Sequence, residues 1–105
     1  MCELFGASSA LPRAFSNWLS AFRARGGAAA DNPDGWGMAW REAGGFQLRK
    51  APEAGARSDE FAELIGAVHT NLLLAHVRKA NFPPINSLNN THPFVHRCCQ
   101  RHWAF

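Results

Sequence analysis

Met1-Cys2-Glu3-Leu4-Phe5-Gly6-Ala7 opens the chain. After Met1 every residue but Glu3 is apolar or small and nothing interrupts the run, so it reads as a short buried strand that begins at the second residue. Working outward, Pro12 stands where a first helical turn tolerates a missing N–H. Phe15, Trp18, Leu19 and Phe22 then recur at i, i+3, i+4 and i+7, which predicts an amphipathic helix ending before Gly26-Gly27. Residues 26–37 are rich in glycine, carry Ala28-Ala29-Ala30 and reach Asn32-Pro33-Asp34-Gly35, the chemistry of a loop with a turn near its end. Residues 36–41 and 46–50 flank Glu42-Ala43-Gly44-Gly45 and predict a hairpin.

Further along, Ser58 is placed to cap a second helix, with Asp59 and Glu60 favourable in its first turn and Phe61, Leu64, Ile65 and Val68 as its buried stripe. Residues 71–78 are mostly apolar and predict a central strand that delivers His76 and Arg78 near its end. Residues 79–91 hold two adjacent prolines and four asparagines and read as an irregular surface loop, and residues 102–105 as a strand only begun. Strands and helices do not strictly alternate, so the class is α+β. With no internal repeat and no linker, residues 1–105 are expected to form one domain or a piece of one.

Composition narrows the function classes. A hydrophobic share of 47% with 18% charged residues describes a folding chain rather than a disordered one. The net charge of +3 is spread without a block of like charges, which argues against a nucleic-acid partner. The aliphatic run Leu72-Leu73-Leu74-Ala75 is far short of a membrane span and no targeting pattern opens the chain, so the expected compartment is the cytoplasm, with no membrane partner. Cys2, Cys98 and Cys99 are an odd and badly spaced set for a disulfide framework and fit free thiols in a reducing compartment.

Cys2 is the sharpest chemical signal. A small residue after Met1 permits removal of the initiator, which would leave a cysteine with a free α-amine, a nucleophile and a base in one residue. An unperturbed α-amino group titrates at about 7.7 to 8.0 and can take a thiol proton directly or through one water. On position alone the plainer reading, an ordinary small apolar residue, also stands. Arg78 at the end of a buried strand can hold a carboxylate through two parallel hydrogen bonds, as an enzyme acting on an amino acid requires. The plainer readings are a surface arginine or one paired with Asp or Glu. His92, His96, Cys98, Cys99 and His102 form a rival site of soft zinc ligands, but adjacent cysteines lack the two-to-four-residue gap of structural zinc sites. The carboxylates are scattered and Gly35-Trp36-Gly37 lacks the lysine of a phosphate loop. Trp18, Trp36, Trp40 and Trp103, with the eight phenylalanines, are expected in the core.

Taken in order, Met1-Cys2-Glu3-Leu4-Phe5-Gly6, Asp34-Gly35-Trp36-Gly37, His76-Val77-Arg78-Lys79-Ala80-Asn81 and Asn90-Thr91-His92-Pro93-Phe94 resemble a class II glutamine amidotransferase, with closest likeness to the stand-alone bacterial type that begins Met-Cys-Glu-Leu. The resemblance runs from the first residue to the last. It implies the N-terminal part of a four-layer αββα sandwich, the fold of N-terminal-nucleophile hydrolases, and a glutamine amidotransferase domain truncated on its C-terminal side. Cys2 would be the catalytic nucleophile, and Arg78, Asn81, Asn90 and His92 would bind substrate. Asp34 and Gly35 would support the pocket. No cofactor and no metal are implied, and the partner would be a small molecule, glutamine or another γ-glutamyl compound. The reaction would release ammonia through a γ-glutamyl thioester.

The chain departs from that pattern at Phe82, where the family usually has glycine, and over residues 96–100, where Cys98-Cys99 replaces an acidic residue, a leucine and a glycine. It stops at Trp103-Ala104-Phe105, where the family continues into an Ala-His-Asn-Gly motif that supplies the oxyanion hole. These 105 residues alone are therefore expected to have little or no glutaminase activity. Two alternatives accompany this reading: amidohydrolysis of a γ-glutamyl compound other than glutamine, and a small zinc module over residues 92–102.

Overall fold

The computed structural model describes residues 1–81 and 85–105. Its elements run β1 (Glu3–Arg13), α1 (Ser16–Ala24), β2 (Gly35–Glu42), β3 (Gly45–Ala51), α2 (Asp59–Ala67), β4 (Thr70–Arg78), β5 (Val95–Cys98) and β6 (Arg101–Ala104), with short 3₁₀ turns at Gly55–Arg57 and Leu88–Asn90. The fold is mixed α and β and dominated by sheet. Strands β1, β4, β2 and β3 lie in that order in one antiparallel sheet, and β5 and β6 form a separate hairpin. The departure at Phe82 lies outside the described residues.

Strand alternation divides the sheet into two faces. Phe5 and Ala7 of β1, Leu73, Ala75 and Val77 of β4 and Trp36, Met38 and Trp40 of β2 share one face. Against it pack Phe15, Leu19 and Phe22 around α1 and Phe61, Ile65 and Val68 around α2. Trp36 and Phe61 stack at 4.5 Å with planes 4° apart, at the centre of that layer. Ser58 caps α2 as its sequence indicates, its hydroxyl accepting from the Phe61 N–H at 3.2 Å. The two helices are tied by Ser16 donating to the Ile65 carbonyl and Arg23 to the Ser58 carbonyl. No helix among the described residues is long and apolar enough to cross a membrane.

The opposite face is covered by residues 91–93 over Gly35 and Gly37 and is open toward β1. It presents Leu4, Gly6 and Ser8 of β1, Leu72 and Leu74 of β4 and Phe46 of β3, and holds an apolar hollow of about 340 Å³ lined by Gly6, Ser8, Phe46, Leu72, Leu74 and Ala104 among others. The β5–β6 hairpin stands largely in solvent, its contact with the sheet running chiefly to β3.

Three sequence readings need correcting. The first strand is eleven residues, not a short one, and alternates half-buried and exposed because it is an edge strand with one open face. Pro12 lies inside it rather than in a helix: an edge strand tolerates a residue with no N–H to donate, and the pairing is irregular between Ser8 and Arg13. Trp18 and Trp103 are 52% and 51% exposed, so only Trp36 and Trp40 are core. Trp18 faces outward with the Arg13 guanidinium 5.2 Å from its ring. Residues 102–105 fall in a strand as read: β6 pairs with β5, and the Phe94 and Phe105 backbones exchange hydrogen bonds beyond them. The β2–β3 hairpin forms as expected, with Ala43 and Gly44 both at positive φ as a type I′ turn requires.

Candidate functional site

β4 is central, with β1 on one side and β2 on the other, so it draws residues from three segments together at one end. Leu4 and Gly37 flank His76, and Gly35 pairs with Arg78. Cys2 sits just before β1. Its Sγ accepts from the Lys79 N–H at 3.3 Å and lies 3.4 Å from the Lys79 carbonyl oxygen, which binds the start of the chain to the residue after Arg78. Glu3 anchors the same stretch through an ion pair with Arg25 and a bond from the Asn32 amide at 3.4 Å. That pairing holds the Glu3 carboxyl below its ordinary pKa, the Arg25 hydrogen bond being the main cause. Lys79 in turn pairs with Asp31 at 2.6 Å, and that hydrogen bond lowers the Asp31 carboxyl.

Asp34 organises the turn beyond β4. Its backbone N–H donates to the Arg78 carbonyl at 2.9 Å, one carboxylate oxygen accepts from the Ala80 N–H at 2.8 Å, and the other accepts from the Asn86 amide at 3.3 Å. Arg78 donates to the Asn86 side-chain oxygen at 3.2 Å and to the Asp34 carbonyl at 3.4 Å. Among the described residues no carboxylate lies within ion-pair distance of its guanidinium. Its charge-assisted bonding capacity is therefore mostly unspent.

Gly35 and Gly37 are explained by what crosses them. A Cβ at Gly37 would collide with the His92 carbonyl oxygen and the Pro93 ring, and one at Gly35 would press on the Thr91 side chain at 3.1 Å. The two glycines thus let residues 91–93 lie directly on the sheet. Lys50 fastens that segment by donating to the Thr91 carbonyl at 2.7 Å while its ammonium sits 4.2 Å above the Phe94 ring; burial pushes its pKa down. The His92-Pro93 peptide is cis. The His92 ring meets His76 at 5.1 Å and Phe94 at 4.7 Å. Cys2, Glu3, Leu4, His76 and His92 line an open hollow of about 270 Å³. His76 is buried with Nδ1 unpartnered among the described residues, and burial first, then His92 and Arg78, push its pKa down to about 4.

The profile of the class II glutamine amidotransferases matches residues 1–105. The chain belongs to that family. A Haemophilus influenzae protein named "Putative glutamine amidotransferase" is 31% identical over 107 residues, covering 100% of this chain and 36% of the relative. An uncharacterized protein of Methanocaldococcus jannaschii is 32% identical over 109 residues, covering 100% and 29%. A 2.0 Å crystal structure of a "predicted glutamine amidotransferase" from Pseudomonas aeruginosa superimposes with a TM-score of 0.56 at 27% identity, over 98% of this chain and 41% of that one. This chain therefore spans 29 to 36% of the length of the curated relatives it matches.

Of the residues singled out in this amidotransferase sequence, Cys2, Asp34, Gly35, Arg78 and His92 gather around the end of β4. Asn81 and Asn90 are exposed, and neither side chain has a hydrogen-bond partner among the described residues. The rival zinc ligands do not converge: no three His, Cys, Asp or Glu side chains come together among the described residues. Asn86, which links Arg78 to Asp34, was not singled out, because nothing in its spacing distinguishes it from the other loop asparagines. His76 carried a signal that could have been used, since it lies two residues before Arg78 and strand alternation puts both on one face.

Proposed function

We propose that this chain carries the nucleophile and the substrate anchor of a glutaminase site, with Cys2 acting as an N-terminal nucleophile after loss of Met1. The α-amine takes the thiol proton, the sulfur attacks the γ-amide carbon, and the oxyanion collapses as the C–N bond breaks. Ammonia leaves with the proton the amine had taken. Water then adds to the γ-glutamyl thioester, the C–S bond breaks, and glutamate departs. Arg78 holds the substrate α-carboxylate, with Asn81, Asn90 and His92 lining the bound molecule and Asp34 and Gly35 keeping the turn in place. The observation that carries this reading is Cys2 Sγ resting 3.3 Å from the Lys79 amide, one residue beyond an arginine with no carboxylate partner among the described residues. Family membership supports it.

The complete fold proposed here is the four-layer αββα sandwich of N-terminal-nucleophile hydrolases. Support comes from the asymmetry of the sheet: two helices cover one face, while the other, beyond the strip under residues 91–93, is apolar and open, as a face built to receive a second sheet would be. The test uses a glutamine analogue with a diazo ketone in place of the amide, applied to a protein of the relatives' full length and read by intact mass and peptide mapping. That protein without Met1 is expected to gain one label, at Cys2, and Cys2→Ser to gain none. Retention of Met1 in the purified protein, or labelling of Cys98 or Cys99 with Cys2 untouched, would overturn the proposal.

A further inference from the structure

The tip of the β5–β6 hairpin carries two thiols side by side. Cys98 ends β5 opposite Arg101, and Cys99 and Gln100 make the turn between them. Both turn residues have positive φ, 54° and 66°, a type I′ geometry that local preference gives to Asn-Gly or Gly-Gly. Cysteine and glutamine at these positions are not the residues a turn alone would select. The result is an Sγ to Sγ separation of 2.9 Å, with both side chains exposed and neither belonging to the core or to the hollow beside Cys2.

Two chemistries are open to such a pair, and geometry separates them. A direct S–S bond suits it badly, because Cα atoms joined by a trans peptide are about 3.8 Å apart, below the roughly 4.4 to 6.8 Å of ordinary disulfides, so the bond would be strained and readily reduced. A single soft atom between the sulfurs is different: bonded to each at about 2.3 Å, it bridges two neighbouring sulfurs without asking them to bond to one another. Zinc would still need two more protein ligands, and no third His, Cys, Asp or Glu side chain joins the pair among the described residues. A trivalent arsenic already carrying one organic group needs two.

We propose that Cys98 and Cys99 form a bidentate thiol site for monosubstituted trivalent arsenicals. Each thiol proton leaves with one arsenic hydroxyl as water, two As–O bonds break and two S–As bonds form, and neither sulfur nor arsenic changes oxidation state. The site is independent of the glutaminase reading, since it shares no residue with it.

The test incubates the protein with phenylarsonous acid, challenges it with a large excess of a monothiol and then with a dithiol, and reads intact mass and peptide maps. One phenylarsenic group per chain, mapped to the peptide holding Cys98 and Cys99, is expected to survive the monothiol and be removed by the dithiol. Cys98→Ser and Cys99→Ser should each lower retention by about a hundredfold, the gain expected of an intramolecular second bond. Cys2→Ser should leave it unchanged. Circular dichroism of the serine variants distinguishes loss of the site from loss of the fold, and these isosteric changes at an exposed turn are expected to keep the wild-type spectrum. Complete release by the monothiol, or retention that survives either hairpin variant, would overturn the proposal.

Discussion

Acidification from about pH 7 to 4.5 should weaken the fold through His76, because its pKa of about 4 lies well below the ordinary 6.5. The cause is burial, aided by His92 and Arg78, all of which penalise the imidazolium. The sign follows from proton counts: between the two values the unfolded chain binds the proton and the folded chain does not. The neutral ring's contribution is therefore complete above 6.5 and is lost as pH falls toward 4. At about 1.36 kcal/mol per pKa unit, the difference amounts to roughly 3 kcal/mol, a large share of the roughly 5–15 kcal/mol that stabilises a small domain. Glu3 and Asp31, whose carboxyls are held low, add their own loss only once pH passes below their unfolded values of 4.5 and 3.8. Urea unfolding followed by tryptophan fluorescence across this window, for wild type and His76→Leu, isolates the effect. The wild type should lose most of those roughly 3 kcal/mol while the variant, with no proton to bind at that position, stays nearly flat. An equal decline in both proteins would refute the assignment to His76.

Gly37→Ala should cost about 1–3 kcal/mol and shift residues 91–93 off the sheet, since the new methyl meets backbone rather than a yielding side-chain tip; denaturation midpoints and amide exchange at Thr91 check this, and a neutral result would contradict it. Ser58→Ala should lose about 1 kcal/mol by orphaning the Phe61 N–H at the start of α2, again read by denaturation. In a protein of the relatives' full length, Arg78→Lys should raise KM for glutamine by about 10- to 100-fold, since a point charge cannot reproduce a two-bond grip; an unchanged KM would remove Arg78 from the substrate site.

Local order was legible wherever one short-range rule governed it. Ser58 followed by Asp59 and Glu60 marked the α2 cap, Gly44 and its neighbours marked the hairpin turn, and the mostly apolar run before Arg78 marked the central strand. Pro12 misled because its helical and edge-strand uses look alike until the neighbours of β1 are known. Trp18 matched the helical period yet faces outward, since nine residues of helix leave its flank without a partner element. The site divided in the same way. Motif order singled out Cys2, Asp34, Gly35, Arg78 and His92, which the structure brings to one end of β4, together with Asn81 and Asn90, which it leaves exposed, whereas Asn86 and the Glu3–Arg25–Asn32 cluster depend on contacts between distant segments that no local pattern encodes.

The ladder joining β1 to β4 has an implication for how this surface can change. Glu3 faces Val77 and Leu4 faces His76, so the backbone offset between Cys2 and Arg78 is set by which residues are paired. Sheet pairing shifts only in whole residues, about 3.3 Å at a time, and a one-residue slip turns every side chain to the wrong face. The backbone offset between Cys2 and Arg78 is thus a stepped quantity, protected against small drifts by the hydrogen bonds of the ladder. If Cys2 and Arg78 grip the two ends of one substrate, as proposed, a version selecting a longer or shorter molecule would have to find the difference in the turn that Asp34 braces, because the strands themselves offer no intermediate setting.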